Sequence, residues 1–552
     1  MLRIYKTTRN LPFYRPVPLT NLPLIYHREH LFPYTSYGDT ESSSVLRPFR
    51  ILVLENDFLR VEVAPELGGR VYSLYDKRIE KEILFSNPVV KPVRILPNWA
   101  FISGGIEFNF PIAHSPTSIV EVGCESGVSK DYGYVRVGER EARSGMEWVV
   151  EVGLAEGCAV LVQRSRFRNS TGKNHPWMSW TIAAVRSTKK TEFVHPPHRV
   201  LVHDDRVREV DWPGEKLNWE ENLQQMTAFF WKPGSAARFG VFHHDLGYGL
   251  MHLAEPAQMP GKKVWSYGHG RHREWGEATT EGGLSYAEIE SGPLVDQSEK
   301  PLFPTGTTQE FEEFWIPVHS REACDRVEWP RVSVVKSEDT WLGWQHSSWQ
   351  IEWEKFRMGD GPLPDSTVVT GIELESALRR EVRSGNKKAA EPLGLWLAFH
   401  GHPQEALSLV VNGGARNRRI AGLICWKGLK DRARAVEHLE SGPLDDPIAV
   451  MELDELYEEL GSDYLSRRAQ LLARAPSHPR VIERRAALAL KTGNPSETMR
   501  LLSETKWQRE HQRYMRSELW KRAQAALGCS GSEVPDFLNE DNLAPFGAYW
   551  SL

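Results

Sequence analysis

The stretch Phe239-Gly-Val-Phe-His243, then Asp245-Leu-Gly-Tyr248, then Gly249-Leu-Met-His-Leu253 reads as two short extended runs joined by a tight turn. Aromatic and β-branched runs closed by an Asp/Gly turn are the local signal of an antiparallel hairpin. The same texture recurs on either side of it. Ile51–Leu54, Leu59–Val63, Val71–Tyr75, Ser118–Val122, Glu147–Gly153, Ala159–Phe167, Trp177–Val185, Leu284–Glu290 and Phe311–Val318 are short runs punctuated by Asn-Asp, Gly-Gly and Pro-Gly. So many strands with almost no helical periodicity predict one large antiparallel sandwich over residues 41–320.

Past residue 372 the apolar period changes from 2 to 3.6. Four similar junctions follow, each with a glycine between two helical runs, at Gly401, Gly428, Gly461 and Gly493. A glycine that ends one helix before a polar start to the next, at a spacing near 34 residues, is the tetratricopeptide-type signature. The expected organisation is therefore multidomain: residues 1–40 as a wrapping segment, 41–320 as the sandwich, 321–371 as a connecting strap carrying Trp341, Trp344, Trp349 and Trp353, and 372–552 as a helical TPR-like domain. Helical repeats of this kind offer grooves or oligomer contacts, so a homo-oligomer is one expectation.

Composition narrows the function. With 68 Lys+Arg against 73 Asp+Glu, the net charge of −5 excludes a broad basic footprint on nucleic acid. No run approaches the roughly 18 apolar residues of a membrane helix, and Arg3, Lys6, Arg9 and Arg15 break any signal-peptide core at the start. Cys124, Cys158, Cys324, Cys425 and Cys529 form no CxxC pair, which fits a reducing cytoplasm better than a disulfide framework. Neither a GxSxG elbow nor a GxxxxGK[ST] phosphate loop is present, so serine-hydrolase and NTPase chemistry lack support and no cofactor is expected. The histidines His195, His198, His203, His243, His244, His252, His269 and His272 have no metal-ligand spacing, and no metal is expected either. Twenty tryptophans are an unusual load for a chain of 552 residues. Most serve cores, yet as a set they point to sugars, whose C–H faces stack on indoles.

Three segments carry candidate chemistry. In Trp99-Ala-Phe-Ile-Ser-Gly-Gly-Ile-Glu-Phe-Asn-Phe-Pro-Ile-Ala-His114, strand alternation puts Glu107 and Asn109 on one face and Ile106, Phe108 and Phe110 on the other. Pro260-Gly-Lys262-Lys-Val-Trp265-Ser-Tyr-Gly-His269, with Trp275 after it, reads as a glycine-rich loop of sugar-recognising residues. In Tyr286-Ala-Glu288-Ile-Glu290, the two carboxylates share a face, and unequal burial would separate their pKa values as acid/base work requires.

These segments resemble the galactose mutarotase-like (aldose 1-epimerase) superfamily. Pro65-Glu-Leu-Gly-Gly-Arg-Val-Tyr-Ser-Leu is similar to its opening hairpin, Ser103-Gly-Gly105 to its His-Gly-Gly run, and Ala287-Glu-Ile-Glu290 through Phe303-Pro-Thr-Gly-Thr to the segment bearing its catalytic glutamate. The Gly-Gly-Ile-Glu-Phe-Asn-Phe-Pro and Pro-Gly-Lys-Lys-Val-Trp runs look closer to bacterial proteins of unassigned function that join such a domain to tetratricopeptide repeats. The resemblance implies that the glutamate base falls on Glu288 or Glu290, with Glu288 preferred. Trp177–Val185 resembles the strand bearing the family's histidine acid, but that histidine is missing here. The expected activity is therefore a glycoside hydrolase acting on short oligosaccharides, with Glu288 and Glu107 dividing acid and base roles. Trp99, Asn109, His114, Trp180, Lys262, Trp265, His269, Trp275 and Glu290 would position the sugar. Epimerisation or elimination on the same fold, and a non-catalytic carbohydrate-binding or scaffold role, are the alternatives.

Overall fold

A computed structural model describes residues 2–27, 31–93, 95, 101–267, 273–296, 298–332, 348–508, 510, 514–529, 534–540 and 543–544. The chain forms two compact units, one of Met1–Val17, Asp39–Ile351 and Asn542–Leu552, the other of Pro18–Gly38 and Glu352–Asp541.

In the first unit a twelve-stranded sheet faces an eight-stranded one. Reading across the middle of the larger sheet, Arg70–Asp76, Ile106–Asn109, Trp180–Arg186, Tyr286–Gly292, Gly261–Ser266, Thr227–Trp231 and His198–His203 are hydrogen-bonded neighbours. Alternation explains the packing. Ile106, Phe108, Ala183, Val185, Ala287, Ile289 and Val264 turn one face of these strands into the inter-sheet core, where they meet Val135, Trp148, Val150 and Trp315 of the smaller sheet. The residues between them point the other way and build the candidate site.

The hairpin at Phe239 forms as the sequence implies, with Arg238–His243 paired to Tyr248–Ala254. Three local expectations are corrected. Arg3–Phe13 is the edge strand of the larger sheet, paired along its whole length with Val45–Glu55, and not part of a wrapping segment. Its exposed Arg, Lys and Thr residues hide the strand pattern, as charges often do where an edge must resist further pairing. Ser118–Val122 is a turn held by Ser118 N–H to the Ser115 carbonyl and Val120 N–H to the Thr117 carbonyl, and the strand begins at Gly123. Gly261–Ser266 is a central strand and not a loop. Its glycine marks a close approach, since a Cβ on Gly261 would lie 2.0 Å from the Leu294 carbonyl oxygen and 2.7 Å from the Trp180 ring.

The second unit is built of paired helices. Each of the four glycines lies between the members of a pair: Gly401 between Ala390–Phe399 and Pro403–Val410, Gly428 between Ala415–Leu423 and Arg432–Glu440, Gly461 between Pro447–Leu460 and Leu465–Arg474, Gly493 between Pro479–Lys491 and Pro495–Glu504. Prolines at the first turn and side-chain caps start several of them, as where Asn494 accepts from Glu497 N–H ahead of Pro495. Pro18–Gly38 belongs to this unit. Thr20 donates to Asp446 at 2.6 Å, Arg416 to the Asn21 carbonyl at 2.6 Å, and Tyr26 to the Ala398 carbonyl at 3.2 Å. Of the expected Trp-rich strap, Trp341 and Trp344 lie outside the described residues. Trp349 and Trp353 are in the helix Ser348–Met358, and the Trp353 indole donates to Ser366 and the Thr367 carbonyl. Among the described residues no helix is long and apolar enough to cross a membrane.

At the centre of this unit Arg419 donates to both oxygens of Glu452, at 2.6 and 2.5 Å, with both side chains buried. Burial pushes the Glu452 carboxyl up, and the charges of Arg419 and His27 more than offset it, so its pKa is lowered. A depressed carboxylate stabilises the fold above its unfolded pKa and loses that contribution as pH falls through the folded one. Glu452→Ala strands a buried guanidinium and is expected to cost about 3–5 kcal/mol. Urea unfolding followed by far-UV circular dichroism at pH 7 reads it, and a loss below about 1 kcal/mol would show that the pair does not anchor the helices.

Candidate active site

The site occupies the face of the large sheet that is turned away from the inter-sheet core. Register alone brings its carboxylates together. Glu107 is opposite Ile182, Ile182 is opposite Glu290, and Glu290 is opposite Lys263. One residue pair further along, Ala184, Glu288 and Trp265 form the next row on the same face. Directly opposed residues in a sheet share a face, so Glu107, Glu288, Glu290 and Lys263 converge although 181 positions separate Glu107 from Glu288 in the chain.

Each carboxylate has a distinct environment. Glu290 pairs with the Lys263 ammonium at 2.5 Å, both groups being almost fully buried. Its pKa is raised, by burial, against the pull of Lys263. Glu288 accepts from the Tyr267 hydroxyl at 3.1 Å. Burial, and then the neighbouring Glu290 charge, raise its pKa well above the ordinary value. Glu107 goes the opposite way. Burial pushes it up, but His114 at 3.3 Å, Arg70 at 3.8 Å and the Ser118 hydroxyl at 2.8 Å outweigh that and lower its pKa.

Arg70 closes the Pro65–Arg70 turn and is wholly buried, donating to the Ile102 and Gly104 carbonyls at 2.9 and 2.5 Å. The Gly104–Gly105 turn permits this. Both residues have positive φ, and a Cβ on Gly105 would lie 2.2 Å from the Val71 carbonyl oxygen. His114 is held at φ 57°, a left-handed conformation unusual for histidine, with its ring edge-on to Phe101 at 4.9 Å.

Aromatic rings wall the site. Phe101 stacks with Trp275 at 5.8 Å, Trp275 with Tyr267 at 5.5 Å, and Phe85 with Tyr286 at 5.0 Å, while the Trp275 indole donates to the Tyr286 hydroxyl. Trp180 is fully buried and lies across two glycines, since a Cβ on Gly292 would sit 2.9 Å from its ring and one on Gly261 2.7 Å. Lys263 stands 5.5 Å from the same ring. Four donors in this buried region find no hydrogen-bond partner among the described residues: Arg70 Nε and Nη2, Asn109 Nδ2 and Trp180 Nε1. Asn109 and Trp180 are cross-strand partners, and Asn109 Oδ1 is already engaged by Ser115 N–H at 2.8 Å.

Of the residues singled out from the sequence, Glu107, Asn109, His114, Trp180, Trp265, Trp275, Glu288 and Glu290 surround this region. Trp99 and His269, like His272, lie outside the described residues. Lys262 is corrected. On the strand Gly261–Ser266 alternation turns it to the opposite face, where it donates to the Met259 carbonyl at 3.1 Å and burial lowers its pKa to about 8. Its neighbour Lys263 is the cation that faces the carboxylates. Sequence reasoning also missed Arg70, Phe101, Tyr267 and Tyr286. Only the Gly-Gly-Arg run hinted at the first, and strand alternation puts Tyr286 on the face of Glu288 and Glu290. Among the described residues no three His, Cys, Asp or Glu side chains gather as metal ligands.

The architecture is that of a large antiparallel β unit followed by a TPR-like unit of paired helices. The family model described as a domain of unknown function, DUF5107, matches residues 27–318, and the chain belongs to that family. A second family model, of a C-terminal domain, matches residues 362–523. Among solved structures the chain is similar to a TPR-domain containing protein from Parabacteroides distasonis ATCC 8503, with a TM-score of 0.90 and 29% identity over 99% of both chains. It is also similar to a galactose mutarotase-like protein from Lactobacillus casei ATCC 334, at a TM-score of 0.37 and 12% identity over 49% of this chain and 100% of that one.

The raised pKa of Glu288 has a measurable consequence. An acid whose folded pKa lies above its unfolded one contributes stability below the unfolded pKa and loses it as pH rises toward the folded value. Glu288→Gln removes that loss. Its melting temperature is expected to exceed the wild type's by an amount that grows from pH 4.5 to pH 8, read by differential scanning fluorimetry. A difference that shrinks with pH would mean that Glu288 is an ionised, paired carboxylate.

Proposed function

We propose that the β unit is a carbohydrate-active enzyme that hydrolyses short oligosaccharides by acid/base catalysis, with Glu288 as the acid and Glu107 as the base. The observation that carries this reading is the opposite tuning of two carboxyls on one buried sheet face, Glu288 raised and Glu107 lowered. Carboxyls pushed apart by their surroundings are how one site holds a proton donor and a proton acceptor at the same pH. Glu288 gives its proton to the glycosidic oxygen as the bond to the anomeric carbon breaks. Glu107 takes a proton from the water that attacks that carbon from the other side. Glu107 lies two strands from the Tyr286–Gly292 strand, on the same face as Glu288.

The unpartnered donors support a sugar. Buried N–H groups without acceptors cost roughly 1–3 kcal/mol each, and a hydroxyl-rich ligand supplies acceptors for Arg70, Asn109 and Trp180.

A second reading, anomer interconversion, is favoured by one contact. His114, in partnership with Glu107, supplies from another segment the histidine that Trp177–Val185 lacks. The two readings separate on a panel of disaccharides and aryl glycosides followed by thin-layer chromatography and mass spectrometry. Hydrolysis predicts cleavage by the wild type and a loss of about 10²–10⁴-fold in kcat/KM for Glu288→Gln and for Glu107→Gln. Intact sugars whose optical rotation relaxes faster with the wild type than with either variant would identify anomer interconversion instead. Sugars that bind equally to the wild type and to Glu288→Gln without turnover would make the unit a binding module.

A further inference from the structure

The chain leaves the first unit after Ile351 and returns to it only at Asn542. What it does on returning is specific. Leu543 is 4% exposed and belongs to the cluster of Phe85, Phe101, Trp265, Tyr267, Trp275 and Tyr286, which lies on the site face of the sheet and apart from the inter-sheet core. Ala544 is tied by both its backbone polar groups: its N–H donates to the Asp204 carbonyl at 2.8 Å, and its carbonyl accepts from the His203 ring at 2.6 Å. The His203 ring in turn stands edge-on to Trp265 at 6.0 Å.

His203 is aligned with the site. It is opposite Ala228, which is opposite Trp265, which is opposite Glu288, so the four occupy one row across four strands and share a face. Three strand spacings make this row about 14 Å long. Beyond Glu288 the row continues to Ala184, whose carbonyl accepts from Phe85 N–H at 2.8 Å. The floor in front of Glu288 is therefore bounded by Phe85 on one side and by the anchored Leu543 on the other. We infer that Leu543 and Ala544 form the end wall of the site, and that Leu543 is a specificity-determining residue confining it to a monosaccharide or the terminal unit of a chain. The wall itself is a matter of packing. Its role in choosing sugars rests on the carbohydrate reading above.

Hydroxyl-radical footprinting with residue-level mass spectrometry tests the wall on the full-length protein, on a chain ending at Asn542 and on Leu543→Ala. Trp265 and Trp275 are expected to be labelled several-fold faster in the truncated chain, and faster to a lesser degree in Leu543→Ala, with Trp315 of the inter-sheet core unchanged as the fold control. Unchanged labelling of Trp265 and Trp275 in both altered chains would overturn the inference. Should truncation expose Trp315 as well, the unfolded variant is set aside and Leu543→Ala, which keeps the Ala544 ties, decides. Sugar choice is read by thermal shift with glucose, galactose, maltose and lactose. Leu543→Ala is expected to raise the affinity for disaccharides relative to monosaccharides by at least tenfold, and an unchanged ratio would overturn the specificity role. Altered labelling with no shift by any sugar in any variant would leave the wall standing and overturn its part in sugar selection together with the carbohydrate reading.

Discussion

The buried ion pair between Lys263 and Glu290 is the contact on which the site's electrostatics depend. Three carboxyls, Glu107, Glu288 and Glu290, occupy one water-poor face with two basic side chains, Lys263 and Arg70. Lys263 is committed to Glu290, and Arg70 is nearest Glu107, so the third carboxyl is left with no cation of its own. Ionisation there is disfavoured without one. The Glu288 pKa is accordingly raised, with the Tyr267 hydroxyl as neighbour. The acid of the proposed reaction is selected by the shortage of positive charge, and the separation of roles between Glu288 and Glu107 follows from which strand each cation stands on.

The sheet itself supplies the rigidity that such a site needs. Tyr286–Gly292 and Gly261–Ser266 are central strands, hydrogen-bonded on both edges. Their odd and even residues are divided between an apolar inter-sheet core and the polar face. Side chains held this way reorganise little, and preorganised dipoles are what stabilise developing charge. The glycines at 261 and 292 serve the same end by leaving room for the Trp180 ring. Segments from distant parts of the chain then complete the walls: the Gly104–Gly105 turn with Arg70, the stacked rings of Phe101, Trp275 and Tyr267, and the returning Leu543.

The helical unit uses a different device. Its pairs are punctuated by left-handed glycines at Gly401, Gly461 and Gly493, and its centre is tied by Arg419 and Glu452. The chain's own Pro18–Gly38 runs along these helices, with Arg419 also donating to the Pro23 carbonyl at 2.9 Å. Part of the surface of this TPR-like unit is thereby occupied by a segment of the same polypeptide.

Local periodicity determined much of this from the sequence alone. Alternation in Ile106–Asn109 and Tyr286–Gly292 was enough to put Glu107, Asn109, Glu288 and Glu290 on the faces they occupy, because a strand's side chains alternate whatever it packs against. The glycine junctions located the helical pairs for a similar reason, since a left-handed helix end needs glycine wherever it occurs. Tertiary structure alone decided the rest. Whether Lys262 or Lys263 faces the carboxylates depends on Gly261–Ser266 being a strand, and its glycine, read locally, marks a loop equally well. The role of Arg70 depends on carbonyls more than thirty residues away, and Arg3–Phe13 becomes a strand only because Val45–Glu55 is there to pair with it. The pKa values of Glu288 and Glu107 are shifted by burial and by neighbouring charges, and Leu543 joins the cluster of Trp265 across a chain separation of 278 residues. Contacts of that range follow from register and chain return, which no window of sequence contains.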